Sequence, residues 1–520
     1  MSQMLKSSSA MAAATLTSRV LGMVREMVYA NFLGISPVAS AFKLAFMVPN
    51  LFRRLLGEGA LTAAFIPIFK KKEVQEGEAE MWRTANAVIS GVMLAAGAIT
   101  LLAIGGITGA LALREFSPET ALMLRLLRFM FPYMLLVCVA AVYIGMANAR
   151  GHFFVPALGA VMLNVIMIAS VLLLAPQMGA ALEQQIFGLA IGVVVAGFAQ
   201  MVFQLPTLSK EGYRYQWVSP WRDATVREVI RKMIPGSIGV AAFQINVLIT
   251  QGYVFFVDDT KTINASFDVA VRLMELPQGL FGISLATFLL PTLSGLVAEK
   301  KFGEFQSTLK QGLSYLSFSN LIAAAVSLAL AEPIVRLLFE HGKFGPEATH
   351  RVSIALMCLA PGLLLFSMNN ILARAFFALN DIRTPMKISV FCLALNLIFA
   401  IYLVQQYREA GLAMANTVSA IFNTALLFYA LRHKLKRLEM QGLISGVLTL
   451  GGIAAVAGGA AYFGFREWDQ HFGHEAFYAK LGAVFVPGVL AGIIYWSLAV
   501  MAKVPAAMEV TAMLKRKLLK

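Results

Sequence analysis

Predominantly apolar stretches of about twenty residues recur from one end of the chain to the other, and this feature leaves few folds open. Lipid offers a backbone N–H or C=O no partner, so a stretch of that length satisfies itself as a helix. Read in order, the stretches give fourteen expected spans, at approximately 9–33, 37–69, 84–113, 122–148, 153–176, 184–208, 234–257, 266–298, 311–339, 351–379, 384–405, 409–431, 442–465 and 481–502. Composition agrees: 59% of the residues are hydrophobic and 14% are charged, too few charges to coat a soluble surface. The expected class is an all-α integral membrane protein.

A net charge of +15 would suggest nucleic acid in a soluble chain, but its placement here answers to a bilayer. An even number of spans leaves both termini on one side. About 26 of the 43 Lys and Arg residues fall on that side, about 7 on the other, and the rest within spans. The positive-inside rule then puts both termini in the cytoplasm, and no nucleic-acid partner is expected. Near the N-terminus Lys6 precedes a Ser/Ala run, yet Arg19 interrupts the apolar region and no small-residue cleavage site follows. We therefore expect a first membrane helix rather than a removable signal. Cys138, Cys358 and Cys392 each sit inside an apolar segment and are expected to be packing residues, neither disulfides nor metal ligands.

The connection 210–233 interleaves Trp217, Trp221, Arg222, Arg227, Arg231 and Lys232 with apolar residues at helical spacing, which predicts an amphipathic helix on the membrane surface. It divides the chain into an N-lobe at 1–209, holding spans one to six, and a C-lobe at 234–431, holding spans seven to twelve. Weak internal similarity supports the division. FRRLLGEGALTAAFIPIF and FGISLATFLLPTL carry late prolines, Pro67 and Pro291; NARGHFFVP and ALNDIRTP reach Pro156 and Pro385 at the start of the fifth span of each half. Two lobes related by a repeat are a transporter signature. After a basic linker at 432–441, spans thirteen and fourteen (442–502) have no counterpart in the first half, and a basic cytoplasmic tail, 503–520, closes the chain. Pro49, Pro132, Pro277 and Pro361, inside spans, predict kinks.

Ionisable residues inside the spans are the candidate site. An arginine at mid-bilayer costs about 2.5 to 3.5 kcal/mol even on the gentler insertion scale, so each needs a partner or a watery cavity. Arg19 and Arg25 lie in the first span, Lys43, Arg53 and Arg54 in the second, and Arg272 in the eighth. At about 100° per residue, Ser18, Gly22 and Arg25 share one face of the first helix, with Arg19 and Glu26 on the adjacent stripe. Asp268, Arg272, Glu275 and Gly279 form a similar stripe on the eighth. One reading is buried salt bridges, with Arg272 held by Asp268 or Glu275 and Arg54 by Glu58. Against it, six bases face four acids (Glu26, Glu58, Asp268 and Glu275) in these helices, and that excess favours an anion site. Several guanidinium forks suit a diphosphate. Arg125, Arg128 and Arg336 lie near span ends and are expected to snorkel; Arg374, deeper in the tenth span, stays open.

No enzyme active site is expected. The chain lacks a G-x-x-x-x-G-K-[ST] phosphate loop, and His152, His341, His350, His433, His471 and His474 lie in loops or turns without metal-ligand spacing, so neither cofactor nor metal is expected.

The segments TSRVLGMVRE, PNLFRRLLGEGALTAAFIPIF, VRLMELPQGLFGISLATFLLPTLS and RAFFALNDIRTPMK resemble those of the MurJ/MviN family, lipid II flippases of the multidrug/oligosaccharidyl-lipid/polysaccharide exporter superfamily. The resemblance covers nearly the whole chain. It implies two six-helix lobes in a V, alternating access, and two terminal helices lining a groove for a polyprenyl tail. It also implies lipid II, an undecaprenyl-diphosphate lipid, as the partner carried across the bacterial inner membrane, among membrane lipids and by a monomer. Motif matching places the substrate-binding arginines at Arg19, Arg25, Arg53 and Arg272, with Ser18, Glu58 and Glu275 in associated polar positions; Lys43, Arg54, Glu26, Asp268 and Arg374 are supporting candidates. Ser40 and Val271 stand where the family often carries acids. A coupling ion, sodium or proton, is not placed by the motifs, Asn380 and Asp381 being the weak candidates. A polyprenyl-diphosphate polysaccharide flippase and an ion-coupled multidrug exporter are the alternatives on the same scaffold.

Overall fold

The computed structural model describes residues 2–54, 61–221, 223–435 and 441–518, and every regular element among them is helical. The chain packs as two compact units, Met1–Ala265 and Ser266–Lys520. The first contains α1 (Ser2–Leu33), α2 (Pro37–Phe52), α3 (Leu61–Glu76), α4 (Glu78–Leu113), α5 (Pro118–Met130), α6 (Pro132–Ala149), α7 (Phe154–Ala169), α8 (Leu182–Val202), α9 (Leu205–Lys210) and α10 (Ala224–Val257), and ends within α11 (Ile263–Pro277). The second continues through α12 (Ser284–Ala298), α13 (Phe302–Ala329), α14 (Ala331–Phe339), α15 (Pro346–Leu359), α16 (Gly362–Ala378), α17 (Arg383–Leu435), α18 (Gln441–Phe472), α19 (Phe477–Met501) and α20 (Pro505–Leu518). Among the described residues, eight helices are long and apolar enough to cross a membrane, or nine if the bent pair α15–α16 is one span.

Local chemistry sets the helix ends. Ser36 caps α2, its Oγ accepting from Ala39 N at 3.1 Å, with Pro37 preset for the first turn. Asp223 caps α10 by accepting from Thr225 N and Val226 N at 2.8 and 3.1 Å. The span prolines act as their missing N–H requires. Pro132 marks the step from α5 to α6, and Pro361 lies in the 47° bend between α15 and α16. Pro277 closes α11 before a wider turn, Gln278–Ile283, with i to i+5 bonding. Pro49 sits inside α2. Within α17, Arg408 adopts φ 53°, so two helices meet there, between the spans expected at 384–405 and 409–431.

In the first unit Tyr133 is fully buried near Phe46 and Phe42, and Gly197 lets α8 approach its ring: a Cβ at Gly197 would lie 2.7 Å from it. In the second, α18 and α19 pack on each other and on α13, where Tyr495 donates to Phe318 O at 2.8 Å.

The connection after α9 differs from the expected surface helix. Residues 213–219 form no helix, and helix resumes only at Ala224. Gly212, at φ 89°, turns the chain out of α9, and α4 then holds it as a strap. Asn86 Nδ2 donates to Arg214 O at 3.1 Å, and Ser90 Oγ accepts from Val218 N at 3.5 Å and meets Tyr215 Oη at 3.2 Å. Tyr213 is buried against Trp82 and Tyr143. Side chains of α4 therefore satisfy backbone groups that a helix would have paired internally. Trp217 and Trp221 stay exposed. Beyond the strap, α10 packs against α2, α3 and α4, so the helix after the expected lobe boundary lies in the first unit.

Candidate functional site

In the first unit the polar face of α1 is built as its spacing predicts, and it meets a partner on α7. Arg25 Nη1 donates to Asn164 Oδ1 at 3.1 Å, while Asn164 Nδ2 donates to Ser18 O at 3.0 Å. Gly22, between them, leaves room for the Asn164 amide, which a Cβ at Gly22 would approach only to ordinary contact, 3.7 Å. One buried amide thus ties Ser18 to Arg25 across two turns of helix. Sequence reasoning did not single out Asn164. Its one signal is an amide in an otherwise apolar span, and the span alone does not say which helix that amide faces.

Glu26, on the stripe it shares with Arg19, is buried, and its Oε1 accepts from Arg25 Nη2 at 2.5 Å. Neighbours in sequence point about 100° apart on a helix, yet two long side chains span that angle. The Arg25 guanidinium also lies 5.5 Å from the Tyr29 ring centre. Arg19 is exposed.

On α2, Lys43 is half-buried. Arg53, just beyond the helix, donates from Nε to Asn50 Oδ1 at 2.7 Å, and exposed Arg54 reaches Gln244 Oε1 of α10 at 3.4 Å. Glu58 lies outside the described residues. Ser40, where the family resemblance leads one to look for an acid, is fully buried and accepts from Ala265 N at 3.2 Å, so its hydroxyl serves the first turn of α11.

In the second unit Arg272 Nη1 pairs with Glu275 Oε2 at 2.9 Å, one helical turn away. This was one of the two acids weighed as its partner. The pair keeps 36% and 50% of its side-chain surface exposed, so it is a weakly held ion pair. Asp268 is half-buried on the same helix, and Arg374 is half-buried on α16. Two of the four motif arginines, Arg25 and Arg272, thus carry a carboxylate beside them. The formal count in these helices is unchanged by pairing: six bases against four acids leaves an excess of two.

Asp381 has a structural role. It accepts from Thr384 N and Oγ1 at 3.0 and 2.8 Å, capping α17, and from Lys434 Nζ at 2.6 Å. Asn380, at φ 56°, forms the turn before it. Among the described residues no group of three or more His, Cys, Asp or Glu is arranged to hold a metal.

Long apolar helices with an arginine-bearing polar face define a polytopic membrane protein, and its helical fold is shared with solved transporters, among them one described as belonging to the multidrug/oligosaccharidyl-lipid/polysaccharide exporter superfamily. An inward-facing multidrug exporter of that superfamily aligns over 80% of this chain and 95% of its own, with TM-score 0.64 and 14% identity. A structure described as lipid II flippase MurJ in an inward closed conformation aligns over 98% of this chain and 99% of its own, with TM-score 0.74 and 21% identity. The family model for lipid II flippase MurJ matches residues 29–481, and the chain belongs to that family. Among curated relatives, a probable lipid II flippase MurJ of Vibrio cholerae is 33% identical over 446 residues, 82% of this chain and 83% of its own. A lipid II flippase MurJ of Burkholderia cenocepacia is 32% identical over 470 residues, 88% and 89% of the two chains.

Proposed function

We infer that this chain flips lipid II, the undecaprenyl-diphosphate-linked peptidoglycan precursor, from the cytoplasmic to the periplasmic leaflet of a bacterial inner membrane. The observation that carries the reading is the family match over residues 29–481, joined by relatives whose names state that activity. The proposal includes fourteen spans with both termini cytoplasmic, two six-helix lobes that alternate in access, and α18 and α19 as the groove for the polyprenyl tail.

The polar residues suit this task. The diphosphate offers oxygens that compete for guanidinium forks, and Arg272, half-exposed beside Glu275, gives up a weak pair for a charge-assisted bidentate one. Asn164 holds Arg25 in place, while Arg53, Arg19 and Lys43 add the remaining positive charge. An inside-negative potential contributes about 2.3 kcal/mol per elementary charge per 100 mV, favouring outward passage of the anionic head and inward return of the empty cationic site.

Expression in a cell depleted of its own lipid II flippase, with leaflet-selective labelling of lipid II, tests the reading. The wild-type chain should restore growth and outward labelling; Arg272→Ala should abolish both at normal membrane abundance, with Arg272→Lys retaining a fraction. Full labelling in Arg272→Ala would remove that residue from the site, and failure of the wild type to restore labelling would end the proposal.

A further inference from the structure

Where α4, α5 and α8 meet, the wall of the first unit carries two adjoining cavities, and none of the residues assigned above to the substrate lines either. The one at the helix ends has a volume of about 700 Å³ and is lined by Arg125, Glu183, Gln184 and Phe187. One turn deeper along α5, a second of about 550 Å³ is walled by Ile104, Phe129, Pro132, Ile191, Val194 and Val195. Phe129 of the deeper cavity and Phe187 of the outer one are in edge-to-face contact at 6.4 Å, which places the two side by side along one stretch of wall between α5 and α8.

The polar groups are graded along it. Arg125 and Glu183 bring opposite charges to the outer cavity. In the deeper one the polar lining is Arg128 and Thr108, and Arg128 Nη1 donates to Thr108 Oγ1 at 3.3 Å. Thr108 donates in turn to Ile104 O at 2.7 Å, which leaves its lone pairs facing the guanidinium. The adjoining surface of α4 is lipid-like, with Leu101 and Leu102 more than 70% exposed.

A groove with an arginine and a carboxylate at its mouth, and a second arginine one turn below on the wall of an otherwise apolar channel, fits an amphiphile whose head carries a phosphate and an amine. We propose that it binds one molecule of phosphatidylethanolamine, with the phosphate on Arg128 and Arg125, the ammonium on Glu183, and an acyl chain along Phe129, Ile191 and Val195. Phosphatidylglycerol would leave Glu183 opposite a head without a cation. Phosphatidylcholine, with no N–H, could not donate to it. The volumes fall in the range of built small-molecule sites, about 300 to 1,000 Å³. The inference rests on the membrane-spanning reading only in taking α4, α5 and α8 as spans.

Native mass spectrometry of the purified full-length chain, in detergent with equimolar phosphatidylethanolamine, phosphatidylglycerol and phosphatidylcholine, tests this. One phosphatidylethanolamine adduct should predominate. Arg128→Ala should weaken its retention by about tenfold, the worth of one charge-assisted hydrogen bond. Arg128→Lys should keep most of it, and Glu183→Gln should erase the preference over phosphatidylglycerol. Val195→Trp, which fills the channel and leaves every charge in place, should lower retention of all three lipids. Equal retention of the three lipids by the wild type, an unaltered adduct in Arg128→Ala, or displacement of the adduct by one equivalent of lipid II would each overturn the proposal. Translocation is not read in this experiment, so its outcome and that of the flippase test are separable.

Discussion

The turns that open α7 and α17 are built alike and held differently. Gly151 and Asn380 both take a left-handed conformation, at φ 87° and 56°, and each precedes its helix by three residues. Pro156 and Pro385 each occupy the third position of the helix that follows. The charges beside these turn residues are reversed. In the first unit the turn supplies a cation: Arg150 binds Glu73, Glu78 and Glu211, with Nη2 to Glu78 Oε1 at 3.0 Å and Nε to Glu211 Oε2 at 2.8 Å. In the second unit the turn supplies an anion, Asp381, to Lys434 at 2.6 Å. Each turn is tied to the C-terminal end of a later stretch of helix in its own unit, to α9 through Glu211 in the first and to the end of α17 through Lys434 in the second. The strength of the tie differs, since the first unit adds an aromatic cage and a docked strap, and the second has a lysine 37% exposed to solvent.

The largest test of that difference is Tyr213→Ala. Tyr213 is 2% exposed between Trp82 and Tyr143, whose ring centres lie at 5.5 and 5.8 Å, and truncating a buried aromatic costs about 3 to 5 kcal/mol. Melting in detergent should fall sharply, and hydrogen exchange should rise across residues 205–221 with little change around 380–386. Tyr213→Phe should stay near wild type if packing is what the cage supplies. Unchanged protection of the strap in the alanine variant would show that the segment is held by other contacts and would weaken the contrast between the units.

Arg150→Ala comes next. It leaves Glu73 and Glu211, both about a quarter exposed or less, without the guanidinium they share, for an expected loss of about 2 kcal/mol, below the figure for fully buried pairs because water reaches the cluster. Removing Glu211 as well should recover part of the loss, since the two act as one network. The cluster also depends on pH. Hydrogen bonds from His152 and Arg150 hold the Glu211 carboxyl below the usual carboxylate range, and a hydrogen bond from Lys70, aided by the charge of Arg150, does the same for Glu73. A depressed carboxylate stabilises the fold above its unfolded pKa and loses that contribution as pH falls through the folded one, so acidification should narrow the gap between Arg150→Ala and the wild type. A gap that stays constant down to pH 3 would remove the ionic account.

Much of the fold is legible in the sequence because lipid imposes a one-dimensional rule on helices. The break at Arg408 and the bend at Pro361 fall where apolar stretches end or a proline removes an N–H. The face of α1 is legible as well: Ser18, Gly22 and Arg25 follow from helical spacing, and Asn164 meets that face. The choice of partner is not, because spacing gives a direction and not what lies along it. Glu26 pairs with its sequence neighbour Arg25, and Asn164 meets Arg25 only when α7 is packed against α1. The strap departs from a helix for a related reason. Its apolar and basic residues do recur at helical spacing, but Asn86 and Ser90, four residues apart on α4 and far away in sequence, supply the backbone partners that decide its conformation.

The smallest effect belongs to the second unit, and it isolates a single pair. Burial opposes ionisation of Asp381, but the hydrogen bonds from Lys434 and Thr384 prevail and push its carboxyl down to about 2. Its contribution is therefore complete above the unfolded value of 3.8 and is lost as pH falls through about 2. Lys434→Ala should cost about 1 kcal/mol at neutral pH, since the lysine is partly solvated and Thr384 continues to cap α17 through Asp381. The same substitution raises the folded-state value toward 3.8, so the variant gives up its remaining carboxylate contribution earlier on acidification than the wild type does. Melting curves at pH 7, 4 and 1.5 should show the two chains separated at the first two and converging at the third. A loss at pH 7 as large as that of Arg150→Ala would mean that the second turn is tied as firmly as the first, and the contrast between the two halves would then be one of charge sign alone.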